Sequence, residues 1–229
     1  MKKQIFTLSL LLFFGFGLYA QPKAVSEPRV IAKMKEPLQR PVWSPDGSRL
    51  FLASLDGLWE VSATGNNLRK ASADANQLRA ANSIHPLLKQ MVDDPAGVAS
   101  KVKALQALGG YLIFNPVLSP KGDQIVFQVS NGKGLYIVNV DGSGLRSLGQ
   151  GERATWTPDG KYLVAMLVAD DGHTLTKGEL ISIHVASGAK NTLFASDKYI
   201  ALSPAISPDG KKLAFEEYAS GAIYVMDIQ

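Results

Sequence analysis

The stretch that decides the fold is Pro41-Val42-Trp43-Ser44-Pro45-Asp46-Gly47, because closely related stretches occur three more times along the chain. The other copies are Pro116-Val117-Leu118-Ser119-Pro120-Lys121-Gly122, Ala154-Thr155-Trp156-Thr157-Pro158-Asp159-Gly160 and Pro204-Ala205-Ile206-Ser207-Pro208-Asp209-Gly210. Two apolar runs with the period of β-strands follow each copy. A recurring unit of this kind is the sequence signature of a repeat architecture. The sequence therefore predicts four similar β-units.

The last four positions of each copy predict a tight turn between the first and second strands of a unit. Proline presets φ, aspartate bonds the local backbone, glycine accepts a positive φ, and serine or threonine can bond turn amides. We interpret these residues as structural turn formers and not as catalysts. They are Ser44, Pro45, Asp46, Gly47, Ser119, Pro120, Gly122, Thr157, Pro158, Asp159, Gly160, Ser207, Pro208, Asp209 and Gly210.

Each unit contains about four short strands, termed a, b, c and d in chain order. Four-stranded sheets that repeat along a chain predict a β-propeller. The expected fold class is all-β, a small β-propeller of about four four-stranded blades that forms a single domain over residues 21–229. The repeats span about residues 41–72, 115–149, 153–196 and 203–229.

The repeats resemble the TolB-type WD40-like β-propeller repeat family over about residues 29–72 and 111–229. The resemblance is closest at Trp43-Ser44-Pro45-Asp46-Gly47 and Ile223-Tyr224-Val225-Met226-Asp227. It implies blades around a central axis, with strand a innermost. It concerns the repeats and not TolB as a whole, because TolB-like proteins have a separate N-terminal α/β domain and more blades.

The fourth unit reaches Ile228-Gln229 directly after its strand c, so its own strand d is missing. Residues 29–33 have a strand-like sequence and precede the first strand a. We expect this N-terminal strand to close the last blade. Such pairing would remove an exposed sheet edge, which is a template for aggregation.

Residues 73–109 break the period and predict a helical insertion between blades one and two. Asp94 can cap a helix, Pro95 suits a first turn, and Gly109 suits a helix end. One helical face would carry Val98, Val102, Leu105 and Leu108. Two questions remain open. The first is whether the insertion hides a degenerate fifth blade. The second is whether its apolar face only packs on the propeller or serves as a partner-binding or lid element.

The first twenty residues have the order of a secretory signal peptide, with basic Lys2 and Lys3, the apolar run Ile5–Gly17 and the small residue Ala20. The run is shorter than the about 20 residues of a membrane span. We predict Sec-type export with cleavage after Ala20, a periplasmic or secreted protein and no stable membrane span; the alternative is a retained anchor. Loss of both lysines lowers the formal net charge from +4 to +2, which makes nucleic acid an unsuitable partner.

Candidate chemistry is sparse in this sequence. The chain has no cysteine, only three histidines and no familiar catalytic or phosphate-binding motif. We therefore predict no catalytic residue, no resident metal and no cofactor. One polar cluster stands out in the loop at 168–178, where Asp170, Asp171 and His173 could either meet a cation or form a solvated turn.

The b–c and d–a loops of a blade emerge on one face of a propeller. The insertion is a d–a connection and the 168–178 loop is a b–c connection, so this face is the predicted binding surface. Its candidate binding residues are Asp170, Asp171, His173, Lys177, Glu217 and Tyr218. The sequence favours an exported, non-catalytic binding or scaffold protein of the cell envelope that recognises a protein or glycan partner. A small metal-dependent propeller hydrolase or lactonase is the alternative, and the oligomeric state stays open.

Overall fold

The computed structural model describes residues 21–72, 113–129 and 134–229. In these residues it contains sixteen β-strands in four antiparallel four-stranded sheets and no helix. The all-β prediction of four four-stranded propeller blades is therefore confirmed. The predicted signal peptide at 1–20 and the predicted helical insertion at 73–109 lie outside the described residues.

The four sheets follow the four sequence repeats. Blade one consists of β2 (Gln39–Trp43), β3 (Arg49–Ser54), β4 (Gly57–Ser62) and β5 (Arg69–Lys70). Blade two consists of β6 (Ile113–Leu118), β7 (Gln124–Val129), β8 (Gly134–Asn139) and β9 (Arg146–Gly149). Blade three consists of β10 (Glu152–Trp156), β11 (Tyr162–Asp170), β12 (Leu175–His184) and β13 (Lys190–Phe194). Blade four consists of β14 (Ala201–Ile206), β15 (Lys212–Glu217), β16 (Ala222–Asp227) and β1 (Arg29–Ala32).

The outermost strand of blade four comes from the start of the described chain. Strand β1 pairs antiparallel with β16, with Val30 opposite Tyr224. The buried Ile31 packs in an apolar cluster that contains residues of blades one and four. The Arg29 side chain also donates to the carbonyl of Ala63, in the turn after β4, at 3.1 Å. The strand expected at residues 29–33 is thus found at 29–32, and it links blade four to blade one.

A tight turn follows the innermost strand of every blade. Its glycine has a φ between 69° and 73°, in the left-handed region that glycine adopts at little cost. In blade one the Ser44 hydroxyl donates to Asp46 Oδ1 at 2.6 Å and accepts the N–H of the first residue of β3 at 3.0 Å. Blade two has lysine in the aspartate position, and there the Ser119 hydroxyl donates to Asp123 Oδ1 at 2.7 Å instead.

Every innermost strand also contains a bulge near its start, on the face of the d–a and b–c loops. The pairing register with strand b shifts there in all four blades. The bulged residues have φ values of 51°, 47°, 47° and 50°, although none of them is glycine; they are Arg40, Asn115, Arg153 and Ser203. A left-handed conformation costs a non-glycine residue roughly 1–2 kcal/mol. Since the cost recurs in every blade, the bulge is part of the repeat architecture.

Contacts of one repeated type join three pairs of neighbouring blades. The N–H of a bulged residue donates to a strand-b side chain of the preceding blade in the ring. Arg40 donates to Glu216 Oε2 at 3.4 Å, Arg153 to Gln128 Oε1 at 3.1 Å, and Ser203 to Met166 Sδ at 3.4 Å. Two of these junctions also contain a hydrogen bond from a tryptophan indole N–H. Trp43 donates to the Ala205 carbonyl at 2.9 Å, and Trp156 donates to the Val117 carbonyl at 3.2 Å.

The junction of blades one and two differs within the described residues. The strand-b position that carries Gln128, Met166 or Glu216 elsewhere carries Ala53 in blade one, which has no side-chain acceptor. The described strands of these two blades also share no contact as extensive as those at the other three junctions. The chain connects the two blades through residues 73–112, which lie outside the described residues.

Candidate functional site

The tip of the β11–β12 hairpin carries the polar cluster that the sequence singled out. Asp171 Oδ1 accepts the backbone N–H groups of His173 at 2.9 Å and Thr174 at 2.8 Å, and these hydrogen bonds hold the pKa of Asp171 below its usual value. Asp170 Oδ1 accepts the N–H of Gly172 at 2.9 Å. Both carboxylates therefore stabilise the turn that contains them. The described residues include no group of three or more side chains placed to hold a metal ion.

Two other predicted residues, Lys177 and Glu217, line one cleft between the hairpin and blade four. Lys177 forms an ion pair with Glu179, whose hydrogen bond raises the pKa of the lysine. Glu217 is buried and accepts the N–H groups of Ala219 at 3.1 Å and Ser220 at 2.8 Å. Although burial raises the pKa of Glu217, these hydrogen bonds lower it overall. Its carboxylate thus organises the turn before β16.

The predicted binding residues consequently separate into two groups. Asp170, Asp171 and His173 occupy the exposed hairpin tip, whereas Lys177 and Glu217 share the cleft. Tyr218 follows Glu217 and remains 42% exposed. The structure brings Lys177 and Glu217 together but supplies no contact that ties the hairpin tip to them.

A second polar group on the same face was not predicted from the sequence. A cavity of about 240 Å³ lies where the starts of three innermost strands meet. Arg40 reaches it from blade one, Arg153 from blade three, and Ser203 with Glu216 from blade four. The arginines and Ser203 occupy the bulged position of their strands. A polar residue three positions before Trp43, Trp156 and Ile206 was the available sequence signal, but it identifies the bulge only once the strand register is known.

We call this cavity at the starts of the innermost strands the axial opening. Within the described part of the chain, its positive and negative side chains are not joined in ion pairs. Glu216 is only 9% exposed, and burial raises its pKa despite hydrogen bonds from Arg40 and Ser203 and the nearby arginine charges. The pKa of Arg153 is lowered, first by burial and then by the charge of Arg40, although Glu216 and Glu152 oppose the shift. Across the described ranges, neither guanidinium forms an ion pair or a hydrogen bond. The two cations therefore face the same cavity without direct neutralisation.

An adjoining cavity of about 350 Å³ extends from the axial opening along the junction of blades two and three. The two cavities share Glu152, Met166 and Val168 in their walls. Phe114, which is 46% exposed, and Leu167 add apolar surface to the second one. A charged opening thus continues into a recess with both apolar and polar walls, the polar side chains being Gln128, Gln150 and Glu152.

The opposite face carries a different cavity of about 260 Å³, lined by turn residues of blades three and four and by residues near both ends of the described chain. Its carboxylates, Asp159 and Asp209, accept hydrogen bonds within their own turns. These two carboxylates are therefore engaged in the repeat turns.

Comparison with known proteins identifies solved structures with similar folds. No protein-family model and no curated protein matches the chain. A protein described as TolB from Agrobacterium tumefaciens is 20% identical, with a TM-score of 0.42, over 86% of this chain and 60% of its own. An oligogalacturonate lyase from Vibrio parahaemolyticus is 15% identical, with a TM-score of 0.38, over 87% of this chain and 51% of its own. A protein described as a 6-phosphogluconolactonase from Bacteroides uniformis is 15% identical, with a TM-score of 0.38, over 83% and 50%.

This chain therefore spans between 50% and 60% of the length of these solved structures. Since every TM-score is below 0.5, the fold assignment rests on the sheets described above and not on these similarities. The propeller blades are shown, whereas membership of the TolB-type repeat family stays a prediction. The part of the chain that the structure describes offers no helix with the length and hydrophobicity of a membrane span.

Proposed function

We propose that this protein is an exported, non-catalytic β-propeller that binds a protein or glycan of the cell envelope through the face of its b–c and d–a loops. The observation that carries the proposal is the distribution of exposed apolar side chains. Outside the N-terminal segment, the large apolar side chains that the structure describes as exposed are Leu55, Phe114 and Tyr218. Single exposed apolar residues are ordinary, but a set gathered on one face is typical of an interaction surface.

The same face also carries the charged axial opening and the long β11–β12 hairpin. Leu55 and Tyr218 lie in b–c turns, and Phe114 lies at the start of an innermost strand beside the second cavity. Apolar side chains next to a few placed charges are the usual composition of a recognition site. Export is supported by the signal-like order of residues 1–20 and is part of the proposal.

Capture of a partner from a native envelope extract tests this proposal. Immobilised mature chain is compared with a face variant, Leu55→Asp with Tyr218→Asp, and with a control variant, Lys121→Asp with Lys211→Asp, in turns of the opposite face. We expect the wild type and the control to capture the same protein or glycan and the face variant to lose it. Equal capture by the face variant, with all three proteins equally stable to heating, would refute the proposed surface. A stoichiometric cation in the purified protein would instead favour the metal-dependent hydrolase or lactonase.

A further inference from the structure

We propose that the axial opening binds a carboxylate that carries an apolar group, with the carboxylate between the guanidinium groups of Arg40 and Arg153 and the apolar group in the adjoining recess. The inference rests on the proposed function in one respect, because it uses the same face of the propeller. It goes further by naming the chemistry of the bound group and the residues that recognise it.

The backbone does not require arginine at these two positions. The same left-handed bulge occurs in all four blades, and blades two and four place Asn115 and Ser203 there. Asparagine is among the residues that tolerate this conformation best, whereas a long basic side chain gains nothing from it. The bulge therefore accounts for the position of Arg40 and Arg153 but not for their charge, which needs a separate reason.

Binding of an anionic ligand would explain why these two positions carry arginine. The two guanidinium groups line one cavity and make no ion pair within the described ranges. A guanidinium donates two parallel hydrogen bonds to a carboxylate, so two of them can hold both oxygens of one carboxylate from different sides. Placing an anion between them would also relieve their mutual repulsion, which after burial is the second cause that lowers the pKa of Arg153.

The two glutamates in the same cavity favour a ligand with a single negative charge. Glu152 and Glu216 line the same cavity as the arginines, so the four groups together carry little net charge when all are ionised. A phosphate near neutral pH carries up to two negative charges, so its repulsion by the glutamates grows as much as its attraction to the arginines, while its desolvation costs more than that of a single carboxylate. A single carboxylate gains the arginine contacts with the smaller penalty.

The apolar side chains around the charged groups favour a ligand whose carboxylate is attached to an apolar group. Met166, Val168, Leu175 and Leu202 line the axial cavity, and Phe114 and Leu167 extend the apolar wall into the recess. A uronic acid would bring several hydroxyl groups against these walls, whose described polar side chains in the recess are Gln128, Gln150 and Glu152, and each hydroxyl buried without a partner is unfavourable. An aliphatic group would bury apolar surface there. The structure therefore favours an apolar acid over an acidic sugar.

Amide NMR titrations of the labelled mature protein test the inference with defined probes. The acidic probes are N-acetylleucine, as a free small acid, and N-acetyl-glutamyl-leucinamide, as a peptide side-chain acid. The uncharged counterparts are N-acetylleucinamide and N-acetyl-glutaminyl-leucinamide, and sodium glucuronate and inorganic phosphate complete the set. We expect at least one acidic probe to shift the amide signals of Arg40, Arg153 and Ser203, and its uncharged counterpart to leave them unchanged. Which acidic probe binds more tightly identifies the source of the carboxylate.

Substitutions assign the effect to the arginine pair. Arg40→Gln and Arg153→Gln should each weaken binding of the acidic probe about tenfold, as expected for loss of charge-assisted hydrogen bonds. The matched control Lys211→Gln removes the same charge on the opposite face and should leave binding unchanged. Arg153→Lys retains the charge but loses the planar group that can donate two parallel hydrogen bonds. Its affinity for the acidic probe should lie between that of Arg153→Gln and that of the wild type. Thermal unfolding of each variant confirms that it is folded.

Several results would overturn the inference: equal binding of the uncharged probes, tighter binding of glucuronate or phosphate, or unchanged affinity in both arginine variants. The envelope capture experiment separates this failure from failure of the proposed function. If the Arg40→Gln, Arg153→Gln double variant still captures the partner while the Leu55→Asp, Tyr218→Asp variant does not, the binding face stands and the carboxylate site is wrong. If the Leu55→Asp, Tyr218→Asp variant also captures the partner, the proposed function fails as well.

Discussion

Strand β1 provides a sharp test of how the last blade is completed, because neighbouring residues in it have opposite environments. Ile31 is 5% exposed and packs in the apolar cluster shared by blades one and four, whereas Val30 is 49% exposed. Replacing each residue in turn by alanine therefore compares a buried and an exposed truncation within a single strand. Neither change removes a backbone hydrogen bond, so side-chain packing accounts for the difference.

The expected magnitude follows from the carbon atoms that each change removes. Ile31→Ala deletes three buried carbons, worth about 2.4 kcal/mol at ~0.8 kcal/mol each. The partly filled cavity left behind raises the expected loss to about 3 kcal/mol, within the usual range of about 2–5 kcal/mol. Val30→Ala deletes two carbons that are half in solvent and should cost less than about 1 kcal/mol.

Equilibrium unfolding of residues 21–229 in urea, followed by tryptophan fluorescence, measures both losses. For a domain of this size, the Ile31→Ala loss corresponds to a fall in Tm of about 6–12 °C. The slope of the unfolding free energy against denaturant should stay the same in both variants, since the folded state remains closed. Equal stability of the two variants would show that β1 does not pack as the final strand of blade four, and the closure described above would be wrong.

Three further substitutions test the blade junctions and the titratable groups. Trp43→Phe removes a buried hydrogen bond between blades one and four together with part of the buried indole ring, and it should cost about 1–2 kcal/mol in urea unfolding. Trp59→Phe, whose indole donates to an exposed carboxylate, should cost less than about 0.5 kcal/mol, and equal losses in the two variants would contradict the junction bond. The Ser44 hydroxyl is the main cause that lowers the pKa of Asp46 from 3.8 to about 2, so the stability from its ionised form is present above 3.8 and is lost as the pH falls toward 2. Asp46→Asn should therefore have a lower Tm than the wild type near neutral pH and an equal one near pH 2, and a difference independent of pH would refute this. Burial raises the pKa of Glu216, so the folded state retains its proton longer than the unfolded state and the wild type loses stability as the pH rises through that raised value. Glu216→Gln should be more stable than the wild type at alkaline pH, with a difference that disappears in acid; a less stable variant at alkaline pH would show that the arginine charges outweigh desolvation.

The repeat was readable from sequence because its defining interactions are local. Ser44 and Asp46 are two residues apart, and their hydrogen bond closes the turn that separates two strands. The same local chemistry survives in blade two even though the acceptor has moved to Asp123. The closing strand at Arg29–Ala32 was predictable for a different reason: a blade that lacks one strand leaves an open edge, and few segments of the chain could pair with it.

The axial opening could not be predicted in the same way, because its parts are remote in sequence and depend on register. Arg40 and Arg153 lie at the starts of strands in different blades, and in the sequence each resembles an ordinary polar residue at a strand start. Their proximity follows from a bulge whose left-handed conformation is usually a glycine or asparagine property. At the hairpin tip, by contrast, residues that are neighbours in sequence also have a local structural role. Asp170 and Asp171 form a cluster in sequence, but their carboxylates accept hydrogen bonds from their own turn.

The residues of the axial opening also belong to the contacts between blades, and this dual role links binding to stability. Glu216 accepts the N–H of Arg40 from blade one, while Arg153 donates its N–H to Gln128 of blade two. A ligand held by both arginines would therefore connect the junction of blades four and one to that of blades two and three. Because it would bind the assembled ring and not the unfolded chain, it should raise the unfolding free energy as its concentration exceeds its dissociation constant. The shared bulge fixes where these side chains stand, so exchanging one side chain can change the ligand while the blade backbone stays the same.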